Sequence, residues 1–394
     1  MSNSVAVVVE QRFYKCNDVI WTENSFKKEF WNRYLAVFDK VFVVARVKNV
    51  EEVNSHWDRV DGSKVELVEL PFYQGPKEFL FTLPRLLSTL WRCKKDEHST
   101  ILRIPGILGT IYQLVVLQGR PFSVEVVGDP FEVFQKKASS SRFSYFYQQL
   151  FKYELKRLCA KAHSTSYVTS HTLQKRYPPA ENSFSTNYSS IDLYKEDFNI
   201  RDIYKSNGTL NIICIGNLSE PYKGCDSMID VLKITRSRGI DCQVTWIGGG
   251  KLLDSLKAYR NKQGLKEYFS FIGNLSNKVD VQTYLDKGDM FVLMSRQEGL
   301  PRVLIEAMAR SLVCYSTNVG GVSELLDSDF LVDIDDIEGM SNKIVSFNDL
   351  TYERKSIIGK HNYNVALNYE HENITPRRQE FYLSAMTVER GKCF

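Results

Sequence analysis

The chain has 394 residues, 43% of them hydrophobic and 25% charged, with 51 Lys and Arg against 47 Asp and Glu. That is the composition of a globular protein of two or three domains with ample core, and it excludes a disordered, fibrous or disulfide-stapled chain. A net charge of +4 is too small to point to nucleic acid, although a local basic excess would still attract an anionic membrane surface.

From the N-terminus, short β-rich runs alternate with helical stretches. Strands are predicted at 5–9, 41–47, 65–70, 100–104, 123–127 and 166–169, and helices at 25–38, 78–94, 108–117 and 141–162. Strands separated by helices imply a parallel, doubly wound sheet. The segment Pro178–Asn207, rich in Ser, Asn, Asp and Pro, reads as an irregular linker. A second alternation follows, with strands at 210–215, 243–247, 269–272, 290–294, 312–316 and 330–333 and helices at 225–238, 251–263 and 279–287. The tail from Tyr352 is helical and charged. The expected architecture is α/β, two Rossmann-like halves with a cleft between them. No run approaches ~18 apolar residues, so no membrane-spanning helix is expected. Met1-Ser-Asn-Ser leads straight into Val5-Ala-Val-Val-Val9, without a basic n-region or signal-peptide core. There are eight cysteines and no C-x-x-C pair; Cys214, Cys242 and Cys314 lie in apolar runs and read as reduced core residues. Together these features imply a cytoplasmic protein.

The most informative stretch is Ser295-Arg-Gln-Glu-Gly-Leu-Pro-Arg-Val-Leu-Ile-Glu-Ala-Met-Ala309, set between two strand-like runs. It reads as a strand, a Gly-Leu-Pro turn and a helix, with Pro301 in the first helical turn, where its missing N–H is harmless. Leu300, Val303, Leu304, Ala307 and Met308 form one apolar seam, and Ile305 with Ala309 makes the opposite side apolar, so the helix should be covered on two faces. The polar remainder is Arg302, Glu306 and Arg310, spaced by four. Glu298 and Glu306 frame the turn and can line one pocket at the carboxyl edge of a sheet. The N–H groups after Glu298, at Gly299 and Leu300, point into the same space and suit a phosphate. A carboxylate there suits a ribose diol or sugar hydroxyls, because it accepts two hydrogen bonds at once. The competing reading is an Arg302–Glu306–Arg310 ladder of i,i+4 ion pairs on a solvated face.

Ser-x-x-Glu-Gly-Leu-Pro-Arg-x-Leu-Ile-Glu-Ala-Met-Ala, followed by Asn318-Val-Gly-Gly-Val-Ser-Glu-Leu-Leu326, resembles the group-1 retaining glycosyltransferases of GT-B fold. The variant Glu-Gly-Leu-Pro-Arg is the one familiar from bacterial surface-polysaccharide enzymes. The resemblance implies two Rossmann-like domains with parallel sheets facing a central cleft. An acceptor-binding domain would cover 1–200 and a nucleotide-sugar-binding domain 201–365, with a helical tail, 366–394, crossing back to the first. It further implies that Glu298 contacts the donor sugar and Glu306 holds the nucleotide ribose. Lys223, in Ile213-Cys-Ile-Gly-Asn-Leu-Ser-Glu-Pro-Tyr-Lys-Gly224, would neutralise a leaving diphosphate; read alone it is a solvated loop lysine. Gly216 and Asn217 belong to the same donor loop, and Asn217 stands where the family usually has Arg, so one cation is missing. Gly248 and Gly249 of Ile247-Gly-Gly-Gly250 match the family's Gly-x-Gly element, whose glycines let backbone approach a nucleotide; a plain turn is the alternative. Gly320 and Gly321 would close around the phosphates or the donor sugar.

In the first half, Glu10-Gln-Arg-Phe-Tyr14 follows the first strand where the family often has a Gly-rich turn. Arg103-Ile-Pro-Gly106 and Val127-Gly-Asp-Pro-Phe131 end strands and should face the cleft. Asp129 stands where many relatives place a His, either to accept a bond from a sugar hydroxyl or simply to make an Asp-Pro turn. The stretch 141–161 mixes Phe143, Tyr145, Phe146, Tyr147 and Phe151 with Lys152, Lys156, Arg157 and Lys161. It reads either as a helix lying on a membrane surface or as core on one side and solvent on the other. Asp333-Ile-Asp335-Asp336 superficially resembles a metal-binding Asp-x-Asp but reads as a solvated loop, and no metal site or cofactor is expected.

The implied reaction is metal-independent transfer, with retention, of a sugar from a donor such as a UDP- or GDP-sugar to a hydroxyl of a saccharide or lipid-linked oligosaccharide. Peripheral contact with the inner face of the cytoplasmic membrane goes with that reading; nucleic acid does not. The alternatives are a GT-B-fold sugar-nucleotide epimerase or hydrolase, and a degenerate transferase kept as a scaffold.

Overall fold

The computed structural model describes residues 3–23, 25–93, 98–129, 142–201, 208–275 and 277–387. The polypeptide divides into two compact units, Met1–Tyr188 with Pro376–Phe394, and Ser189–Thr375.

The first unit is built on nine strands: β1 (Ser4–Cys16), β2 (Val19–Thr22), β3 (Lys40–Asn49), β4 (Asp58–Arg59), β5 (Val65–Pro71), β6 (Ser99–Ile104), β7 (Ser123–Val126), β8 (Ser164–Tyr167) and β9 (Phe184–Asn187). The run β5-β3-β1-β6-β7-β8-β9 is parallel, with the chain winding outward from β1 in both directions. Val5, Val7, Val41, Val43, Ile101 and Val124 are fully buried, as strands covered on both faces require. Helix α1 (Gly75–Arg92) follows β5 and helix α2 (Arg142–Lys161) precedes β8.

Three sequence expectations need correction here. The first strand does not stop at Val9: β1 runs on past a register shift between Val8 and Arg12, then turns through Asn17 and Asp18, both at positive φ, into antiparallel β2. The helix expected over 25–38 is reduced to a 3-10 turn (Lys28–Trp31) and a single α-turn (Asn32–Leu35). Burial of Phe30, Trp31 and Tyr34 against neighbouring rings sets the backbone there, overriding helical periodicity. Finally, β9 forms inside the segment read as linker. Phe184-Ser-Thr-Asn187 is a half-exposed edge strand, too polar to announce itself.

The second unit carries six parallel strands: β10 (Leu210–Ile215), β11 (Cys242–Ile247), β12 (Phe269–Gly273), β13 (Met290–Leu293), β14 (Val313–Thr317) and β15 (Leu331–Val332). All six lie within a residue of their expected ends. Their order, β12-β11-β10-β13-β14-β15, reverses direction between β10 and β13. In a doubly wound sheet that switch point opens a crevice at the carboxyl ends of the two strands, where ligands bind. Helix α3 (Cys225–Ser237) leaves β10 and helix α4 (Arg302–Ala309) leaves β13. Helix α4 buries Leu304, Ile305, Ala307, Met308 and Ala309, so both of its apolar faces are covered. Cys214, Cys242 and Cys314 are buried free thiols.

The last helix, α5 (His371–Thr387), starts in the second unit and ends in the first. Tyr382 stacks on Tyr34 at 4.7 Å between ring centres and reaches Glu125 on β7. The Glu125 carboxylate is fully buried. It accepts hydrogen bonds from Tyr34 (2.7 Å), Tyr188 (2.7 Å) and Tyr382 (3.2 Å), and pairs with Arg103 at 2.5 Å. Burial pushes its carboxyl up, but the Arg103 guanidinium and the tyrosine hydroxyls outweigh this and hold it below the ordinary value of 4.5. A depressed folded pKa means stability present above about pH 4.5 and lost as pH falls through the folded value. Glu125→Gln leaves Arg103 buried without its counter-charge and should cost the first unit about 3–5 kcal/mol. It should also flatten the acid limb of its pH–stability curve. Urea unfolding of the parent and the variant between pH 3 and 7 (roughly the carboxylate range) checks both, and coincident curves would show that the pair contributes nothing.

Candidate active site

Two loops meet at the switch point of the second sheet. The loop after β10 runs through Gly216 and Asn217 to a 3-10 turn, Pro221–Lys223, that hands over to α3. The loop after β13 runs through Glu298 to Pro301, which stands at the N-cap of α4 with extended ψ (106°), one position ahead of the helical turn expected for it. Lys223 Nζ lies 2.6 Å from Glu298 Oε1, and the two side chains are only 14% and 9% exposed. Shielding from water preserves much more of this attraction than an exposed pair would keep. Lys223 is therefore no solvated loop lysine.

Arg296 fastens the two loops together. Its two terminal nitrogens grip Asp226 of α3, each at 2.9 Å, and Nε donates to Asp335 at 2.7 Å. Further bonds reach Ser227 Oγ (2.7 Å) and the Pro221 carbonyl (2.8 Å). Its own backbone N–H donates to the Tyr222 carbonyl at 2.7 Å. The chain positions adjoining Lys223 and the residue two before Glu298 are thus one hydrogen-bonded body. Sequence reading missed Arg296, because its carboxylate partners lie far away along the chain. Asp335 is spent on this contact and Asp336 on capping the helix Ile337–Asn348 through the Gly339 N–H at 2.8 Å. Among the described residues no group of three or more His, Cys, Asp or Glu is placed to hold a metal ion.

Glu306 sits on α4, half-buried. The i,i+4 ladder does not form: Arg310 turns to Asp286 (2.7 Å) and to the Asp197 carbonyl (3.1 Å), and Glu306 has no ion-pair partner among the described residues. Burial pushes its carboxyl above the ordinary 4.5, with Arg302 and Lys278 pulling it back.

The glycines knit loops to one another. Gly248 has φ +126°, and a Cβ there would stand 2.2 Å from the Gly216 carbonyl oxygen. Gly320, at φ +56°, would place a Cβ 2.1 Å from the Glu298 carbonyl oxygen, and the Gly321 N–H donates to the Gly299 carbonyl at 2.7 Å. The Gly249 N–H donates to Asn274 (2.7 Å), while the Gly216 carbonyl accepts from Trp246 Nε1 (3.0 Å). Asn217 folds its side chain back to accept the Ser219 N–H at 2.6 Å, an Asx turn that shapes the loop without adding a cation. Leu300 is buried as the first residue of the α4 seam.

In the first unit, Asp129 is buried and both of its oxygens are engaged, by Arg176 and by the Tyr177 hydroxyl (2.5 Å). Pro130 and Phe131 lie outside the described residues, as do the side chains of Phe143, Tyr145, Phe146 and Tyr147. Further along α2, Leu155, Leu158 and Cys159 are buried and Tyr153 is exposed. At this unit's own switch point, between β1 and β6, Glu10 accepts the Leu108 N–H (2.9 Å) and pairs with Arg46 (3.0 Å). A carboxylate of the chain itself thus stands where the family often has a Gly-rich turn.

Residues 209–348, most of the second unit, match the family model for group-1 glycosyl transferases. The chain carries a group-1 glycosyltransferase domain. Protein CapJ of Staphylococcus aureus is 25% identical over 377 residues, 93% of this chain and 89% of that protein. The amylovoran biosynthesis glycosyltransferase AmsK of Erwinia amylovora is 29% identical over 168 residues, 41% of this chain and 40% of that one. An Escherichia coli UDP-Gal:alpha-D-GlcNAc-diphosphoundecaprenol alpha-1,3-galactosyltransferase is 31% identical over 107 residues, 26% and 27% of the two chains. Sucrose-phosphate synthase from Thermosynechococcus elongatus superposes with a TM-score of 0.69 at 15% identity, covering 98% of this chain and all of that one. The fold is GT-B, with Rossmann-like parallel sheets in both units.

Arg296→Ala strands two carboxylates and releases the loop that carries Lys223. It should destabilise the second unit by about 2–3 kcal/mol. Arg296→Lys should recover less than half of that, since an ammonium cannot grip a carboxylate with two parallel bonds. Differential scanning calorimetry of the three proteins checks this; a lysine variant equal to the parent would reduce Arg296 to a simple charge.

Proposed function

We propose that this glycosyltransferase moves a hexosyl group, with retention, from a nucleotide-sugar donor such as a UDP- or GDP-sugar to a hydroxyl of a lipid-linked saccharide, during assembly of a bacterial surface polysaccharide at the cytoplasmic face of the membrane. The observation that carries the reading is the shielded Lys223–Glu298 pair at the switch point. A diphosphate arriving there offers Lys223 a stronger anion, and Glu298, no longer paired with Lys223, accepts hydroxyls of the donor sugar. Glu306, unpaired on α4, takes the ribose diol. As the sugar C1–O bond breaks, charge develops on the departing diphosphate, which Lys223 stabilises without a metal ion. The acceptor oxygen attacks the same face of the sugar, and its proton passes to the departing phosphate oxygen. This front-face course needs no protein nucleophile and suits an oxocarbenium-like transition state. Support for a lipid-linked acceptor comes from the E. coli relative, whose name specifies a diphosphoundecaprenol substrate, and for surface polysaccharide from the amylovoran relative.

Nucleotide release from a panel of UDP-, GDP-, ADP- and TDP-sugars, with and without lipid-linked acceptor extract, tests the proposal. One donor should show acceptor-stimulated release, and the product linkage should keep the donor's anomeric configuration. Lys223→Ala should lower kcat by about 10²–10³. Donor turnover without acceptor dependence would instead establish the epimerase or hydrolase, and no turnover of any donor the scaffold.

Glu306 adds a pH prediction. Only its ionised form accepts two hydroxyls, so kcat/KM should fall on the acid side with an apparent pKa above the ordinary 4.5. Glu306→Gln should remove that limb and raise the donor KM about tenfold. An unchanged profile in the variant would release Glu306 from its ribose role.

A further inference from the structure

Helix α1 is amphipathic in an inverted sense. Leu86 and Leu90 are buried beneath it, yet the flank beside them exposes Leu80 (65%), Leu87 (37%) and Trp91 (65%), and Phe81 (89%) stands on the far side. Leu80, Pro84, Leu87 and Trp91 recur at spacings of four, three and four, which places them in one stripe, with Phe81 alongside. The stripe spans about 16 Å at 1.5 Å per residue. Lys77, Arg85 and Arg92 are exposed along its Phe81 side. The helix's single carboxylate, Glu78, folds back to accept the Gln74 N–H at 2.6 Å. Arg85 and Phe81 also line a cleft of about 540 Å³ with Lys48 and Phe72, so the cations continue from the helix to the ends of β3 and β5. The carboxylate in that cleft, Glu69, is neutralised by Lys15 at 2.9 Å.

We infer that the exposed face of α1 docks the protein on an anionic phospholipid surface, with Leu80, Phe81, Leu87 and Trp91 entering the headgroup–acyl boundary and Lys77, Arg85, Arg92 and Lys48 meeting lipid phosphates. Large apolar side chains in a straight row with a cationic border fit a planar interface that is apolar below and negatively charged above. A second copy of this chain fits worse, because a two-fold contact through the stripe would bring its own arginines together without a carboxylate to meet them. The helix lies in the first unit, away in sequence from α2, for which the sequence left membrane contact as one of two readings. The inference gains its purpose from a lipid-linked acceptor, and so rests on the function proposed above, but it is measured without any sugar chemistry.

The test is sedimentation of the full chain with large unilamellar vesicles, of phosphatidylcholine alone or mixed with phosphatidylglycerol, without donor or acceptor. The parent should pellet with the mixed vesicles and stay in solution with phosphatidylcholine alone. Phe81→Glu, at a side chain with almost no packing to lose, should weaken partitioning about tenfold or more. The double change Arg85→Glu and Arg92→Glu should do the same, while Leu150→Ala with Tyr153→Ala on α2 should leave it unchanged. Each variant is held to the parent's circular dichroism and melting temperature. A parent that ignores the mixed vesicles, a Phe81→Glu variant that pellets as the parent does, or loss of binding only in the α2 variant would overturn the inference. Acceptor-stimulated nucleotide release with detergent-solubilised acceptor extract, unchanged by Phe81→Glu, reads the catalytic proposal separately, so the two can fail independently.

Discussion

The second unit depends on one guanidinium. A doubly wound sheet brings two loops to its switch point, but topology alone leaves them as separate flexible connections. Arg296 converts them into one body by spending its planar fork on Asp226, its Nε on Asp335 and its backbone N–H on Tyr222. Only then can Lys223 and Glu298, contributed by different loops, stay in contact at 2.6 Å. An ammonium and a carboxylate so held keep their charges at one fixed place on the strand-end edge, with little water around either.

How much of this could be read from the sequence follows from how local each signal is. Strands β10 to β15 are short buried apolar runs separated by amphipathic helices, and each announces itself within its own residues. Helix α4 does the same through its two apolar seams. The β1–β2 hairpin was invisible because Glu10-Gln-Arg-Phe-Tyr-Lys-Cys16 carries too much charge to resemble a buried strand. Its pairing partners, Arg46 to Asn49, supply what the pattern does not. Arg296 and Glu125 were invisible for a different reason. Arg296 meets Asp226 across 70 residues, and Glu125 meets Tyr382 across 257. No periodicity encodes a contact of that kind.

Single residues at family positions behaved the same way. Motif spacing places Asp129 and Asn217 after strand ends, but gives no sign of the neighbours each one meets. Asp129 is claimed by Arg176 and Tyr177, and Asn217 by the amide of Ser219. The glycines are similar. Gly248 and Gly320 are required by backbone approaching backbone at 2.2 and 2.1 Å from a would-be Cβ, a constraint internal to the protein that exists before any nucleotide is bound.

The two units apply one topology to opposite electrostatic ends. At the first unit's switch point the chain closes the crevice itself: Glu10 supplies the anion, the Leu108 amide receives it, and Arg46 balances the charge. At the second unit's switch point the chain places a lysine, Lys223, whose counter-ion Glu298 belongs to the other loop. A crevice whose charges are already balanced has little to gain from a phosphate, whereas on the proposed function Lys223 exchanges its carboxylate for a stronger anion. On the proposed function, what separates the two units is therefore which charges the chain itself has already placed at the strand-end crevice.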